Sequence, residues 1–286
     1  MSAGRRKLRY GLYVPNFGKC SSPRVYADLA YEAEKAGWDG FFLWDHLVEW
    51  DKRIPISDSF TTLAAIVMRT ERIRIGTTVT PLPRLKPWIV ARQTTSLDHL
   101  SNGRMTLGVG LGGEESCDYV RFGETADNRI LAEKLDESLR VITGLWSGGK
   151  FSYRGTHYKL DETVFLPTPI QKPRIPIWVA GFWPRRGPYE RAAKWDGVVP
   201  LVLPKRLPKP LDIREILGFI GQRRSDLAGF DIVNIGWTSG VDRKRNAEKV
   251  SSYAEAGITW WLESLFTKRD SPEKMLKRIR LGPPRM

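Results

Sequence analysis

Short apolar runs alternate along the chain with longer segments whose apolar residues recur at helical spacing. The runs are rich in Val, Ile, Leu and aromatic residues and are continuous rather than alternating, which is typical of parallel strands buried on both faces. We predict eight strands, at residues 8–15, 40–46, 72–80, 104–112, 175–181, 196–201, 231–238 and 258–265.

The segments between these runs carry recognisable helix boundaries. Ser22-Pro23 and Ser271-Pro272 each combine an N-cap residue with a proline at the first helical position, and Asp212 is expected to cap another helix. Eight strand–helix units in 286 residues predict a (β/α)8 TIM barrel, an α/β fold, as a single domain over residues 1–286. The surplus residues, 148–174, are predicted to form an inserted hairpin and a proline-rich loop before the fifth strand.

The alternative fold is an open, doubly wound sheet that binds a dinucleotide. Its support is "GVGLGG" at 108–113, which matches G-x-G-x-x-G. This motif follows the fourth strand, continues into "EESCDY", and is not followed by a strand ending in an acid about 20 residues later, as the dinucleotide fingerprint requires. The barrel is therefore the preferred fold.

The charge balance is strongly basic, with 46 Lys and Arg against 32 Asp and Glu and a net charge of +14. A basic surface attracts nucleic acid, but these residues are scattered and carry no nucleic-acid-binding motif, so we interpret them as a solvated surface that favours an anionic ligand. The apolar runs are too short for a membrane helix. Two distant cysteines and three dispersed histidines argue against disulfides and against a metal site. We expect a cytoplasmic protein.

The ends of the predicted strands carry the candidate chemistry, because TIM barrels place their active sites there. Asp45 and His46 end the second strand, and side-chain alternation puts Phe42, Trp44 and His46 on one face. If Phe42 and Trp44 fill the barrel, His46 faces its mouth, where its near-neutral pKa range suits proton transfer. The alternative is a histidine with a purely structural role at a strand–loop junction.

Other strand ends are consistent with a pocket at the same end of the barrel. Asn16 follows the first strand, glycines and Glu115 follow the fourth, and Gly181 leads to Arg185 and Arg186 at a helix start. The last arrangement suits a phosphate group, although a turn glycine with solvated arginines is the alternative.

The eighth strand contains a single acid, Glu263, in an otherwise apolar run. An ionised carboxylate is costly to bury without a partner. Either Glu263 points into the pocket beside Trp261 and near His46 and Glu115, or it forms an ion pair with a neighbouring base.

Six segments that occur in order along nearly the whole chain carry a resemblance to a known family. They are "YGLYVPNFG", "AEKAGWDGFFLWDH", "TERIRIGTTVTPLPRLKP", "ARQTTSLDHLSNGRMTLGVGLG", "FSYRGTHYKL…PTPIQKPRIPIWVAG" and "AGITWWLESL". In these segments the chain resembles the bacterial luciferase-like oxidoreductases, which use FMN or a deazaflavin coenzyme.

The resemblance implies that a flavin-type ring lies across the barrel mouth with Asp45 and His46 near its reactive face. It implies a cis peptide bond at Thr78-Val79, whose bulge backs the ring, and a close approach of the backbone at Gly110 and Gly112. It places the cofactor phosphate at Gly181 and its neighbours Phe182, Arg185 and Arg186, and it implies a homodimer.

The resemblance leaves the cofactor and the reaction open. Hydride transfer with the deazaflavin F420 is favoured, with His46 as acid or base and Asp45 orienting it. The alternatives are a monooxygenase that uses reduced FMN and O2, and a noncatalytic flavin-binding protein. The substrate is expected to be a small organic molecule in a pocket lined by Trp44, Trp50, Trp183 and Trp261.

Overall fold

A computed structural model describes residues 7–49, 53–112, 117–266, 269 and 271–285. The strands are β1 (Arg9–Val14), β2 (Gly40–Leu43), β3 (Arg74–Thr77), β4 (Thr80–Pro81), β5 (Met105–Gly110), β6 (Lys150–Arg154), β7 (Lys159–Val164), β8 (Ile177–Trp183), β9 (Gly197–Val202), β10 (Asp231–Gly236) and β11 (Trp260–Ser264). All except β6 and β7 belong to one parallel sheet in the order β3-β2-β1-β11-β10-β9-β8-β5-β4. Because β3 also pairs with β5, and β3 and β4 are two parts of one strand, the sheet closes into the predicted eight-stranded barrel.

The helices are α1 (Pro23–Lys35), α2 (Ser59–Val67), α3 (Pro87–Leu100), α4 (Cys117–Val120), α5 (Asn128–Trp146), α6 (Arg186–Ala192), α7 (Pro210–Gly221), α8 (Arg243–Ala256) and α9 (Pro272–Arg280). Ser271 caps α9 as predicted, since its side chain accepts the Lys274 amide. The prediction for Asp212 was wrong, because α7 begins at Pro210 and Asp212 bonds back to the Lys209 amide from the first turn. Within the described ranges, no helix combines the length and hydropathy of a membrane span.

Side-chain alternation divides the core into two layers, one inside the barrel and one between strands and helices. The interior is filled by Phe42, Trp178, Val199, Val233, Ile235, Trp260 and Leu262. The Phe42 ring lies 4.9 Å from Trp178 and 5.5 Å from Trp260, centroid to centroid. Phe41 and Leu43 belong to the outer layer, so the predicted division of the second strand is confirmed.

The third barrel strand is interrupted by a one-residue bulge. Gly76 pairs with Thr106 and Thr80 with Val109, so four steps along one strand match three along the other. The bulge contains the predicted cis peptide bond between Thr78 and Val79. The predicted hairpin is also present, formed by β6 and β7 before β8.

Candidate functional site

A cavity of about 370 Å³ opens at the carboxyl ends of the barrel strands, and we call it the mouth cavity. Ten of the residues predicted from the sequence line it: Trp44, Asp45, His46, Thr78, Val79, Gly110, Gly112, Gly181, Phe182 and Arg185. The strands converge there because they are parallel, so residues far apart in sequence share one end of the barrel.

Five other predicted residues that the structure describes do not line this cavity. Asn16 lies fully buried behind His46. The lining of the mouth cavity also does not include Arg186, Trp183, Trp261 or Glu263. Trp50 and Glu115 lie outside the described residues, so their predicted roles stay predictions.

His46 is held from its backbone and from one side of its ring. The Asn16 amide accepts the His46 N–H at 3.1 Å and donates to the His46 carbonyl at 2.9 Å. On the ring, Nδ1 lies 3.3 Å from Glu49 Oε1 and 3.7 Å from Asp118 Oδ2. The prediction that Asp45 orients His46 was therefore wrong, because Glu49 and Asp118 supply the carboxylates beside Nδ1.

Asp45 instead belongs to a buried charge network that fixes the loop after β2. Arg84 pairs with Asp45 Oδ1 at 3.0 Å through Nη2 and with Asp118 Oδ2 at 3.0 Å through Nη1. Asp118 Oδ1 also accepts the backbone amides of Leu47 and Val48. Burial raises the pKa of the Asp45 carboxyl above its usual value, and the Arg84 guanidinium offsets part of that rise.

Sequence reasoning missed both Arg84 and Asp118. Arg84 follows the third strand directly, on a single 3-10 turn (Leu82–Arg84), so the strand-end rule could have found it. Asp118 lies on the four-residue helix α4, and no spacing signal in the sequence links that helix to the second strand.

The inner wall of the mouth cavity is apolar and closely packed around the bulge. A Cβ added at Gly110 would lie 2.9 Å from Val79 Cγ2, so glycine leaves the room that Val79 needs. Gly112 has φ of +85°, a left-handed conformation that favours glycine. Two polar atoms at this cavity, Trp44 Nε1 and Thr78 Oγ1, are buried and have no hydrogen-bond partner among the described residues.

The outer end of the mouth cavity is basic. Arg185 precedes α6, and Lys205 follows β9; both line the cavity. Gly181 is required by packing, because an added Cβ would collide with Pro188 of α6. The Gly181 carbonyl also accepts the Tyr189 hydroxyl at 3.0 Å.

Trp183 was predicted to line the pocket but packs on the helix side of β8. Its ring contacts Tyr189 and Phe219, with centroids 5.1 and 5.5 Å away, and its Nε1 donates to Glu215. The prediction failed because side chains alternate along β8, so that Phe182 lines the mouth cavity and the next residue, Trp183, faces the helices.

The pocket prediction for Trp261 and Glu263 was also wrong. The two side chains share one face of β11 as expected, but Trp260 and Leu262 take the barrel interior. Glu263 is fully buried on the helix side, 2.8 Å from Arg269 Nη1 and 3.3 Å from Arg278 Nη2. The alternative of an ion pair is therefore the one the structure contains.

Comparison with known proteins places this geometry in a family. The sequence profile of the luciferase-like monooxygenases matches residues 10–195. An F420-dependent glucose-6-phosphate dehydrogenase of Microbacterium testaceum is 34% identical over 184 residues, which is 62% of this chain and 52% of that protein. The chain thus spans about half the length of this curated relative.

Solved structures share the fold at low sequence identity. An F420-dependent secondary alcohol dehydrogenase, in complex with an F420–acetone adduct, superposes with a TM-score of 0.80 at 17% identity over 96% of this chain and 97% of its own. The oxygenating constituent of 3,6-diketocamphane monooxygenase from Pseudomonas putida, in complex with FMN, superposes with a TM-score of 0.74 at 14% identity, over 96% of each chain. Since the family profile covers well over half of the sequence, the chain belongs to the luciferase-like monooxygenase family.

Proposed function

We propose that this protein is an oxidoreductase that binds a flavin-type cofactor in the mouth cavity and transfers hydride to or from a small organic substrate. The observation that carries the proposal is that His46, a proton-transfer group, lines the same cavity as the Thr78-Val79 bulge and Gly110. The relative from Microbacterium testaceum is named for its dependence on F420, which favours F420 over FMN here.

The residues of the cavity fit a flat, largely apolar group with a polar edge and an anionic arm. Val79 and Gly110 would pack against the ring, and the unpartnered Trp44 Nε1 and Thr78 Oγ1 would donate to its polar edge. Arg185 and Lys205 would hold the anionic arm, because charge-assisted hydrogen bonds suit phosphate oxygens. When bound, such a cofactor supplies the hydride acceptor or donor, and the protein supplies binding and proton transfer.

His46 is the group we assign to the proton. Hydride transfer from a substrate carbon that bears a hydroxyl leaves a proton for a base to remove, and the reverse reaction needs the same proton returned. Glu49 and Asp118 lie on the Nδ1 side of the ring, so Nε2 is the nitrogen left to exchange it. Asn16 keeps the ring in place by fixing the backbone of His46.

A titration of the full chain with F420 and with FMN tests the choice of cofactor. We expect saturable changes in absorbance and fluorescence with F420 at concentrations where FMN binds weakly. Tighter binding of FMN, with oxygen consumption in its reduced form, would favour the monooxygenase alternative. Binding without turnover of any hydride donor or of oxygen would favour the noncatalytic alternative.

Replacing Arg185 by alanine should weaken cofactor binding about 10-fold or more, which is the loss expected for one charge-assisted hydrogen bond. Arg186→Ala is the matched control, since Arg186 is adjacent and exposed but does not line the mouth cavity. Dissociation constants from fluorescence titration give both values. Equal affinities for the two variants would move the anionic arm to another part of the site.

A further inference from the structure

A second cavity of about 480 Å³ lies at the opposite end of the barrel, and we call it the floor cavity. Arg9, Arg74 and Asp231 are the first residues of β1, β3 and β10, and parallel strands bring these amino-terminal ends together. Five cations line it (Lys7, Arg9, Arg74, Lys172 and Arg174) against two carboxylates (Asp196 and Asp231). Five positive and two negative charges leave an excess of three positive charges.

The two carboxylates are already paired, and each neutralises one arginine. Arg9 donates to Asp231, which also accepts the Trp178 indole N–H and the Thr259 hydroxyl. Arg174 Nη1 contacts both oxygens of Asp196, at 3.0 and 2.8 Å. These pairs close the base of the barrel, and the excess charge therefore belongs to Lys7, Arg74 and Lys172.

Arg74 is the most unusual of these three cations. Its guanidinium is bonded only by neutral oxygens, 3.0 Å from Thr106 Oγ1 and 2.8 Å from Gln171 Oε1. Across the described ranges, no carboxylate lies within 4 Å of it. Burial and the neighbouring Arg9 cation lower its pKa, although Asp231 and Asp98 oppose this. Arg74 is therefore a partly buried cation whose charge is not balanced by a carboxylate of its own among the described residues.

Lys7 and Lys172, at the rim of the floor cavity, carry the rest of its excess positive charge. Both are exposed, and within the described part of the chain neither forms an ion pair with a carboxylate. The only hydrogen bond described for the Lys172 ammonium is a long one, 3.4 Å, to the Pro169 carbonyl. Their side chains can therefore turn toward a ligand at little cost.

We infer that the floor cavity is a binding site for a small anion that carries two linked phosphoryl groups. Arginine forks match phosphate oxygens in pairs, and lysines add charge without fixed geometry. An anion of a single charge would leave most of the excess uncompensated, whereas a diphosphate group carries enough negative charge to balance Arg74 and both rim lysines.

This site is separate from the one proposed for the cofactor. Phe42, Trp178 and Trp260 fill the barrel between the two cavities, and the two linings share no residue. Chemistry in TIM barrels belongs to the other end, so the floor cavity is a binding site rather than a second active centre.

Isothermal titration of the full chain with pyrophosphate, at constant ionic strength, tests the inference. We expect saturable binding that Arg74→Gln weakens about 10-fold or more, since the substitution removes one charge-assisted contact. The Lys7→Ala, Lys172→Ala double variant should weaken binding by a similar factor. It changes only exposed side chains, so it keeps the test valid if Arg74→Gln fails to fold.

The mouth cavity has its own cations, Arg185 and Lys205, so the floor variants are also measured in an Arg185→Ala, Lys205→Ala background. In that background saturable pyrophosphate binding should remain, and the floor substitutions should weaken it by the same factor as in the unchanged protein. The inference is overturned if the unchanged protein shows no saturable binding, or if binding is lost in this background, or if the floor substitutions leave binding unchanged.

Discussion

Replacing His46 by alanine should lower turnover about 100-fold or more, which is the usual scale for a lost general acid or base. The cofactor dissociation constant should stay within a few fold of that of the unchanged protein. The backbone of His46 is held by Asn16 through both its N–H and its carbonyl, and these bonds do not depend on the imidazole. The side chain is partly exposed at the cavity wall, so its removal should cost little stability. Single-turnover hydride transfer with the cofactor bound measures the effect.

His99→Ala is the control for this experiment. His99 lies on the outside of the barrel at the end of α3, where its Nε2 lies 2.7 Å from the Thr168 carbonyl. That variant should keep its full rate. An unchanged rate in His46→Ala would remove His46 from the chemistry and leave it a structural role at the end of β2.

The strands could be predicted from the sequence because each is a continuous apolar run of strand length between helix signals. Side-chain alternation also predicted correctly which residues of the second strand face the barrel interior. Phe42 had to fill the barrel if His46 was to reach the mouth, and both side chains lie where that required. Glycines, strand ends and the family resemblance together predicted ten of the twenty residues that line the mouth cavity.

Side-chain alternation did not predict which face of the eighth strand points into the barrel. Alternation correctly grouped Trp261 with Glu263 and Trp260 with Leu262, but both groups contain a tryptophan, so hydropathy cannot decide which one faces inward. The polar residue was assumed to mark the mouth. Glu263 is instead buried on the helix side of the strand, because Arg269 and Arg278, which come later in the chain, neutralise its charge there.

The pairing of Arg84 with Asp45 and Asp118 was missed for the same physical reason. A buried ion pair is created by tertiary contact between segments that carry no common spacing, here a 3-10 turn, a four-residue helix and the end of β2. The net charge predicts an anionic ligand but not where that ligand binds. Positive charge is concentrated at the floor of the barrel because the first residues of the parallel strands meet only once the sheet has closed.

Replacing Glu263 by alanine should reduce the free energy of unfolding by about 3 to 5 kcal/mol, the usual cost of removing one partner from a buried ion pair. Glu263 accepts from the Thr238 amide at 2.7 Å, the Thr238 hydroxyl at 2.8 Å and the Trp261 indole at 3.1 Å. It also neutralises Arg269 and Arg278, whose side chains are 8% and 3% exposed. The substitution therefore leaves two buried cations and several donors without their acceptor.

The matched control for Glu263→Ala is Glu162→Ala in the β6–β7 hairpin, where Glu162 pairs with Lys150 at 2.9 Å and both side chains are mostly exposed. A solvated pair of this kind contributes about 1 kcal/mol at most, since water screens it. Urea unfolding at one pH measures both variants, and the Glu162 midpoint should stay near that of the unchanged protein. Equal losses in the two variants would mean that the Glu263 charge is solvated in the folded protein. In that case the carboxylate would not anchor α9 and the loop after β10 to the eighth barrel strand through Arg278 and Thr238.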